Sequence, residues 1–306
     1  MKLKAFITLI TLVTASFAKD KPCCNPSDPQ LERVSYFSEI MQQERDYFVY
    51  LPPDYENQTD WPVIFFLHGN GERGNGKDEL DYVLKHGPLF EAWSQKKDLP
   101  FIIVSPQLPM WDMGQIDYIA NRTRAEIPLR LPEGEGIHPY PPHYTGEDKM
   151  EGKTSCSSPF PPEGLPQGWP LIEDELMAML DHVLEAYKAD THRVYLTGIS
   201  YGGFGTWYLA SQHPERFAAI CPVVGYAHTS LAAPIAESKL PVWVFAGGRD
   251  NTVPVNYFYP IVNELEALGH PEVYFTIHAD MSHDTWVRVY SGEDIYDWFL
   301  QHTNQR

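Results

Sequence analysis

The alternation of strand and helix patterns from residue 45 onward is the feature that most constrains how this chain can fold. Apolar runs at 62–68 (PVIFFLH) and 101–105 (FIIVS) are typical of strands buried on both faces of a sheet. Further strands are predicted at 46–51, 194–197, 217–224, 242–246 and 273–277, and helices at 78–93, 171–187, 202–212, 255–268 and 285–302. This order predicts an α/β fold with a mostly parallel central sheet and helices on both faces.

One segment interrupts the alternation. Eleven of the 27 prolines of the chain lie within residues 109–170, and proline at that density disfavours both helix and central strand. A long irregular segment inside a compact domain is typical of a functional loop. We therefore predict that residues 112–168 form a Pro-rich insertion or lid over a functional site, and a surface insertion without function is the alternative.

The first 18 residues have the pattern of an export signal. Lys2 and Lys4 precede an apolar run over 5–15, and small residues end it at Ala18. This predicts a signal peptide over 1–18 and one domain over 19–306. The run is too short for a spanning helix, and the residues before Cys23 are not those of a lipid-anchored protein. We expect a secreted or periplasmic protein without a membrane anchor.

Charge and cysteine spacing limit the partners. The chain has 41 acidic and 23 basic residues and a formal net charge of −18, which repels nucleic-acid phosphates, so we expect no nucleic-acid partner. The four cysteines lack the paired spacing of a zinc site. Cys221 lies in an apolar run and is predicted to be a buried thiol. Cys156 could pair with Cys23 or Cys24, and the sequence does not choose between them.

The strongest local motif is the G-x-S-x-G pattern of residues 198–202, which lies between a predicted strand and a predicted helix. A tight turn here leaves room only for glycine at positions 198 and 202 and exposes the Ser200 hydroxyl above the sheet. A serine hydroxyl is a weak nucleophile at neutral pH and needs a base that is oriented by a third group. In folds where such a serine follows a strand and opens a helix, an Asp or Glu and then a His follow the serine along the chain.

Asp250 and His283 occupy those two places. Asp250 follows the strand predicted at 242–246, and His283 follows the strand predicted at 273–277. His278 is a rival base, but it lies at the end of the strand itself, and Asp284 is expected to cap the next helix. The order and the strand-end positions predict a catalytic triad of Ser200, Asp250 and His283.

Acyl transfer also needs hydrogen-bond donors for the charge that develops on the carbonyl oxygen. The backbone N–H of Tyr201 is one candidate, and the N–H of Asn70, in the loop after the strand at 62–68, is the other. This loop also matches two nucleotide-binding patterns. The ribose-binding acid is missing from the next strand, however, and Asp78 stands where Ser or Thr would bind Mg²⁺. We expect no cofactor and no metal.

With these motifs the chain resembles the serine esterases of the α/β-hydrolase superfamily, in the branch of polyester-depolymerase-like and feruloyl-esterase-like proteins also called predicted peptidases. The matching stretches are LHGNGERG at 67–74, FIIVSPQLPMW at 101–111, and residues 193–225, 242–255 and 282–286. The resemblance implies an α/β-hydrolase fold, with Ser200 as nucleophile, Asp250 as acid, His283 as base, and Asn70 and Tyr201 as oxyanion donors. The length of segment 112–168 and Tyr201, where Met is frequent, depart from the family pattern.

The function expected from these features is that of a secreted serine carboxylesterase that works through an acyl-enzyme. Four aromatic residues are candidate substrate contacts: Trp111, Trp286, Tyr140 and Tyr144. They favour aryl, cinnamoyl (feruloyl-type) or polyester substrates, either small molecules or polymers. A serine peptidase acting on small peptides and a catalytically silent binding protein of the same fold are the alternatives.

Overall fold

The computed structural model describes residues 27–132, 135 and 164–305. Within these ranges eight strands form one sheet: β1 (Gln30–Ser38), β2 (Gln43–Leu51), β3 (Trp61–Leu67), β4 (Ile102–Ser105), β5 (Ala189–Ile199), β6 (Ala219–Val223), β7 (Val242–Gly247) and β8 (Val273–His278). The strand order is β1-β2-β4-β3-β5-β6-β7-β8. Strands β3 to β8 are parallel, and β1 and β2 add an antiparallel edge. The predicted mostly parallel sheet is confirmed.

The described ranges contain seven α-helices: α1 (Asp117–Ala120), α2 (Glu173–Ala186), α3 (Tyr201–Gln212), α4 (Ala232–Ser238), α5 (Tyr259–Ala267), α6 (Trp286–Ser291) and α7 (Asp294–Leu300). A π-helix covers Phe90–Ser94. Short 3-10 helices lie at Tyr55–Asn57, Asn70–Glu72, Leu80–Lys85, Trp111–Gln115, Arg124–Glu126, Trp169–Ile172, Pro214–Arg216, Thr229–Leu231, Val255–Tyr257 and His283–Thr285.

The central strand β3 separates two hydrophobic layers. Val63, Phe65 and Leu67 pack into a core with α2, α3, α4 and α5, whereas Ile64 and Phe66 pack into a core with α6 and α7. All five side chains are fully buried. Burying an aliphatic or aromatic side chain contributes about 1.5–3 kcal/mol. Alternation of fully buried residues toward both layers explains the uninterrupted apolar run and confirms helices on both faces.

The helix predicted over 78–93 is wrong. The chain forms the 3-10 helix Leu80–Lys85 and the π-helix Phe90–Ser94 instead. Between them Gly87 has a φ of +84°, and a Cβ at this position would lie 2.2 Å from the Phe66 ring. Pro88 also disfavours a helical conformation for the residue before it. Close approach to the central strand therefore requires a break here.

The last predicted helix, 285–302, is divided in two. Helix α6 ends before Gly292, whose backbone is extended, and α7 follows. The expected cap by Asp284 is also wrong, because Asp284 lies inside the short helix His283–Thr285 and α6 has no side-chain cap. The edge strand β1 and the helix α4 were not predicted.

Candidate active site

Ser200 lies in the turn between β5 and α3. Its φ of 50° and ψ of −115° are rare for any residue with a side chain. A Cβ on Gly198 would lie 2.4 Å from the carbonyl oxygen of Gly202, and a Cβ on Gly202 would lie 1.8 Å from the carbonyl oxygen of Leu67. The two glycines are therefore required by close backbone packing, and the strained turn fixes the Ser200 hydroxyl at the carboxyl end of the sheet.

The structure brings the three predicted triad residues together. The Nε2 atom of His283 is 3.0 Å from Ser200 Oγ, and its Nδ1 atom is 2.7 Å from Asp250 Oδ2. The Asp250 side chain is fully buried, and its Oδ1 accepts hydrogen bonds from the N–H groups of Thr252 and Val253, both at 2.8 Å. When Nδ1–H donates to this carboxylate, the lone pair on Nε2 faces the serine hydroxyl and can accept its proton.

The two rival residues lie elsewhere. The Nδ1 atom of His278 is 3.2 Å from an Arg288 nitrogen, and its ring stacks on Phe245. Asp284 is exposed. The structure thus pairs Asp250, and not Asp284, with the His283 imidazole.

Asn70 and Tyr201 line the same cleft as Ser200. Tyr201 is the first residue of α3, where backbone N–H groups have no acceptor within the helix and the helix dipole is positive. The side chain of Asn70 is already bound, because Nδ2 donates to the Tyr118 hydroxyl at 2.6 Å and Oδ1 accepts from Arg73 Nε at 2.5 Å. The side-chain oxygen and one of the two amide hydrogens of Asn70 are thus engaged, and the backbone N–H remains the predicted oxyanion donor.

A buried carboxyl group lies beneath this turn. Glu72 is 5% exposed, and its carboxylate accepts a backbone hydrogen bond from Gly69. One oxygen is 3.9 Å from His68 Nδ1, and the other is 3.9 Å from His86 Nε2. Burial raises the pKa of Glu72 to about 7, and lowers the pKa of His68 to about 3 and that of His86 to about 4. At neutral pH both imidazoles are neutral, and Glu72 is close to half ionised.

The two histidines have different contacts. His68 Nδ1 is 2.5 Å from the carbonyl oxygen of Gly69, and Nε2 accepts from the Leu108 N–H at 2.9 Å, so the proton is on Nδ1. His86 packs against Trp286 with ring centroids 5.3 Å apart. Trp286 in turn lies edge-on to His283, at 5.2 Å. Sequence reasoning did not single out Glu72 or either histidine.

The cleft above Ser200 has a volume of about 900 Å³. Its aromatic lining consists of Tyr118, Tyr201, Phe204, Tyr226, Tyr257 and Trp286. Its charged and titratable lining consists of Glu72, Lys85, His86, Glu126 and His283. The described parts of segment 112–168 contribute Tyr118, Glu126 and Leu165. The cleft around the serine therefore combines flat aromatic faces with charged and polar side chains.

The four candidate substrate contacts have different outcomes. Trp286 lines the cleft. Trp111 is not among the described residues that line the cleft, and its ring packs on the core and over Arg73, at 5.7 Å. Tyr140 and Tyr144 lie outside the described residues.

Sequence reasoning also missed Tyr226 and Tyr257, whose rings stack at 5.2 Å in the cleft. Their positions after the carboxyl ends of β6 and β7 are the signal that could have found them.

Other candidate features lie apart from this cleft. A second cavity of about 600 Å³ lies between β1 and α2, and none of the residues around Ser200 line it. The predicted burial of the Cys221 thiol is confirmed, and the other three cysteines lie outside the described residues. Across the described ranges no three metal-ligating side chains come together. No helix in these ranges has the length and hydrophobicity needed to cross a membrane.

Parts of this chain are similar to known proteins. The model of the prolyl oligopeptidase family matches residues 172–233, which include Ser200. A putative carboxymethylenebutenolidase of Salmonella typhimurium is 26% identical over 161 residues, which cover 44% of this chain and 57% of that protein. Feruloyl esterase B of Neurospora crassa is 38% identical over 66 residues, which cover 22% of each chain. The chain thus spans about half or less of the length of these curated relatives.

The crystal structure of a thermostable esterase superposes with a TM-score of 0.60 at 22% sequence identity, over 89% of this chain and 63% of that chain. This likeness, with the parallel sheet and the strand–turn–helix at Ser200, shows the α/β-hydrolase fold. Together the matches support the resemblance to the serine esterases of this superfamily.

Proposed function

We propose that the protein is a serine carboxylesterase that hydrolyses ester bonds through an acyl-enzyme. The observation that supports this is the hydrogen-bonded series Ser200–His283–Asp250 at the floor of an open cleft. Ser200 Oγ attacks the ester carbonyl while His283 Nε2 accepts its proton, and His283 then returns that proton to the leaving alcohol. Water then attacks the acyl-enzyme, with His283 again accepting and returning a proton, and the acid is released. The N–H groups of Asn70 and Tyr201 bind the oxyanion in both halves.

The cleft suits an aromatic substrate. Its volume lies within the range of small-molecule sites, and Phe204, Tyr226 and Tyr257 form a continuous aromatic wall beside the serine. Aromatic rings stack on such walls with a preference beyond simple area burial. The name of the Neurospora crassa relative supports the same substrate class. We propose aryl or cinnamoyl (feruloyl-type) esters, or an aromatic polyester, as substrates.

The segment 112–168 is proposed as one wall of this cleft within a single domain over 19–306. Tyr118 and Leu165 support this proposal. Arg122 of the same segment donates to the carbonyl oxygens of Gly71 and Arg73, at 2.9 and 2.6 Å, and so also holds the turn that carries Asn70. Deleting the segment would therefore impair the hydrolysis of every substrate. Single substitutions of residues in the cleft wall are the better test. Export guided by residues 1–18 remains part of the proposal.

The match of residues 172–233 to the prolyl oligopeptidase family favours a second candidate, a serine peptidase acting on small peptides. A p-nitrophenyl ester and the matching p-nitroanilide separate the two functions. We expect Ser200-dependent hydrolysis of the ester and no enzyme-catalysed cleavage of the anilide. Ser200-dependent cleavage of the anilide would favour the peptidase.

A panel of feruloyl, acetyl and longer alkyl esters tests both the activity and the aromatic wall. Ser200→Ala should abolish turnover of every ester. Tyr257→Leu should raise KM for the feruloyl ester about tenfold and leave the acetyl ester within about twofold, because only the larger acyl group reaches the wall. Tyr274→Leu is the matched control, because Tyr274 is exposed on the edge strand β8 and does not line the cleft, and it should change the KM of neither ester. Equal effects of Tyr257→Leu on both esters would contradict an aryl subsite.

A further inference from the structure

Arg73 is a buried cation with only neutral hydrogen-bond acceptors. Its side chain is fully buried. Nε donates to Asn70 Oδ1, Nη1 donates to the carbonyl oxygen of Pro109 at 2.9 Å, and Nη2 donates to the carbonyl oxygen of Gln167 at 2.7 Å. Among the described residues, no carboxylate forms an ion pair with this guanidinium. An uncompensated buried charge costs several kcal/mol, so a fold that retains one needs a reason.

Two aromatic rings cover the guanidinium. Its central carbon lies 4.8 Å from the ring centroid of Tyr201 and 5.7 Å from that of Trp111. Cation–π contacts of this kind attract the cation but do not neutralise its charge. Burial lowers the pKa of Arg73 to about 10, which leaves the group cationic at neutral pH. The charge is thus buried away from bulk solvent.

Both contacts of Arg73 toward the cleft are with residues proposed as oxyanion donors. Its Nε binds the side chain of Asn70, and its face packs on the ring of Tyr201. Negative charge near a desolvated cation is stabilised far more than it is in water. When the bond between Ser200 Oγ and the carbonyl carbon forms, the C=O π pair moves onto oxygen and the serine proton moves to His283. A full negative charge then develops in the cleft lined by Asn70 and Tyr201, and Arg73, which contacts both residues from behind the lining, has no anionic partner among the described residues.

We propose that Arg73 is a positioning residue of the oxyanion hole, which holds the Asn70 turn and whose unneutralised charge stabilises the tetrahedral intermediate without touching it. This inference rests on the proposed esterase function. It also gives Trp111 a role, since this residue covers the cation instead of the substrate. It gives Tyr201 a second role besides its backbone N–H, because its ring lies on the guanidinium.

A purely structural role is the competing explanation, because Arg73 also ties together the chain at Pro109 and Gln167. Arg45 is a matched control for that role. It is 1% exposed, and its guanidinium donates to the carbonyl oxygens of Gly74 and Gln107 in the same loop region. None of the contacts described for Arg45 is with Asn70 or Tyr201.

The test measures kcat, KM and the inhibition constant of an aryl boronic acid, which forms an anionic tetrahedral adduct with a serine. A neutral aryl amide of the same shape serves as a ground-state probe. Removing one direct oxyanion donor costs about 10²–10³ in kcat, so for Arg73→Met we expect a fall of about 30-fold, with a similar loss of boronate affinity. KM and amide affinity should stay within about threefold. Arg73→Lys should recover most of the loss, and Arg45→Met should change neither kcat nor boronate affinity.

Equal weakening of boronate and amide binding by Arg73→Met would overturn the proposal, as would an unchanged kcat. If Arg73→Met does not fold, Trp111→Leu decides, because it opens one face of the cation to water. We expect Trp111→Leu to lower kcat equally for acetyl and feruloyl esters, with KM unchanged. A KM increase confined to the feruloyl ester would instead make Trp111 a substrate contact. Failure of the wild type to hydrolyse any ester would refute the proposed function, and wild-type behaviour of both variants in an active esterase would refute only the role of Arg73.

Discussion

Replacing Glu72 by Gln tests how strongly the fold penalises a buried carboxylate beside the proposed oxyanion turn. The groups that face Glu72 are the neutral imidazoles of His68 and His86 and the cations Lys85 and Arg122. The two cations lower the pKa of Glu72, but burial outweighs them and raises it from 4.5 to about 7. Gln preserves the volume and the hydrogen-bonding oxygen, and it cannot ionise.

The sign of the effect follows from proton linkage. Between pH 4.5 and 7 the folded chain keeps a proton on Glu72 that the unfolded chain has lost, so this group makes the protein less stable as pH rises through that window. At 1.36 kcal/mol per pH unit, the change from pH 5 to pH 8 is about 2.5 kcal/mol. His68 and His86 act in the opposite direction, since their lowered pKa values cost stability as pH falls below 6.5. Both histidines remain in the variant, so their contributions to the pH dependence of stability cancel when the variant is compared with wild type.

Urea unfolding of wild type and Glu72→Gln at pH 5, 6, 7 and 8 measures the effect. We expect the free energy of unfolding of the variant, relative to wild type, to rise by about 2.5 kcal/mol from pH 5 to pH 8. Glu126→Gln is the matched control, because Glu126 also lines the cleft but has a lowered pKa. The difference in the free energy of unfolding between this variant and wild type should not change between pH 5 and pH 8. A difference for Glu72→Gln that does not change with pH would refute a raised pKa for this carboxyl.

Two further predictions concern the serine and its turn. Ser200→Ala and His283→Ala should each reduce kcat by about 10⁶-fold, and Asp250→Asn by about 10⁴-fold. The Ser200/His283 double variant should have a kcat only slightly lower than that of either single variant. If steady-state kinetics showed that the two single losses multiply, the residues would not act as a unit. Gly202→Ala should lower the free energy of unfolding by more than about 3 kcal/mol, because its Cβ would lie 1.8 Å from a backbone oxygen of β3. Gly71→Ala is the control and should be nearly neutral, because no atom lies within 4 Å of its Cβ. Equal urea midpoints for the two variants would contradict the required turn geometry.

Much of the fold could be predicted from local pattern. Strands β3, β4, β6 and β7 are largely apolar runs, and burial on both faces makes such runs conspicuous in sequence. Strand β1 has only one residue that is fully buried, and its mixed polar sequence hides it. Helix α4 contains Pro234, which argues against a helix when read alone. The break in the helix predicted over 78–93 has two causes: the approach of Gly87 to Phe66, which only the fold reveals, and the Gly87–Pro88 pair, a local signal that the prediction overlooked.

The candidate site divides in the same way. The order of Ser200, Asp250 and His283 after successive strands is a one-dimensional signal, and the geometry at these residues follows it. The burial of Glu72 and Arg73 depends on packing between segments that are distant in sequence, such as Arg73 with Gln167. Polar residues in a loop predict exposure by default. Their raised or lowered pKa values could therefore be recognised only in three dimensions.

The central claim is that Ser200 becomes covalently acylated by an ester. Rapid acid quench during hydrolysis of a p-nitrophenyl ester, followed by peptide mass spectrometry, measures this directly. The account predicts an acyl group on the peptide that contains Ser200, formed at the rate of the p-nitrophenol burst and absent in Ser200→Ala. Ester hydrolysis without an adduct, in an Asp250→Asn variant as well as in wild type, or an adduct on any other residue, would contradict it.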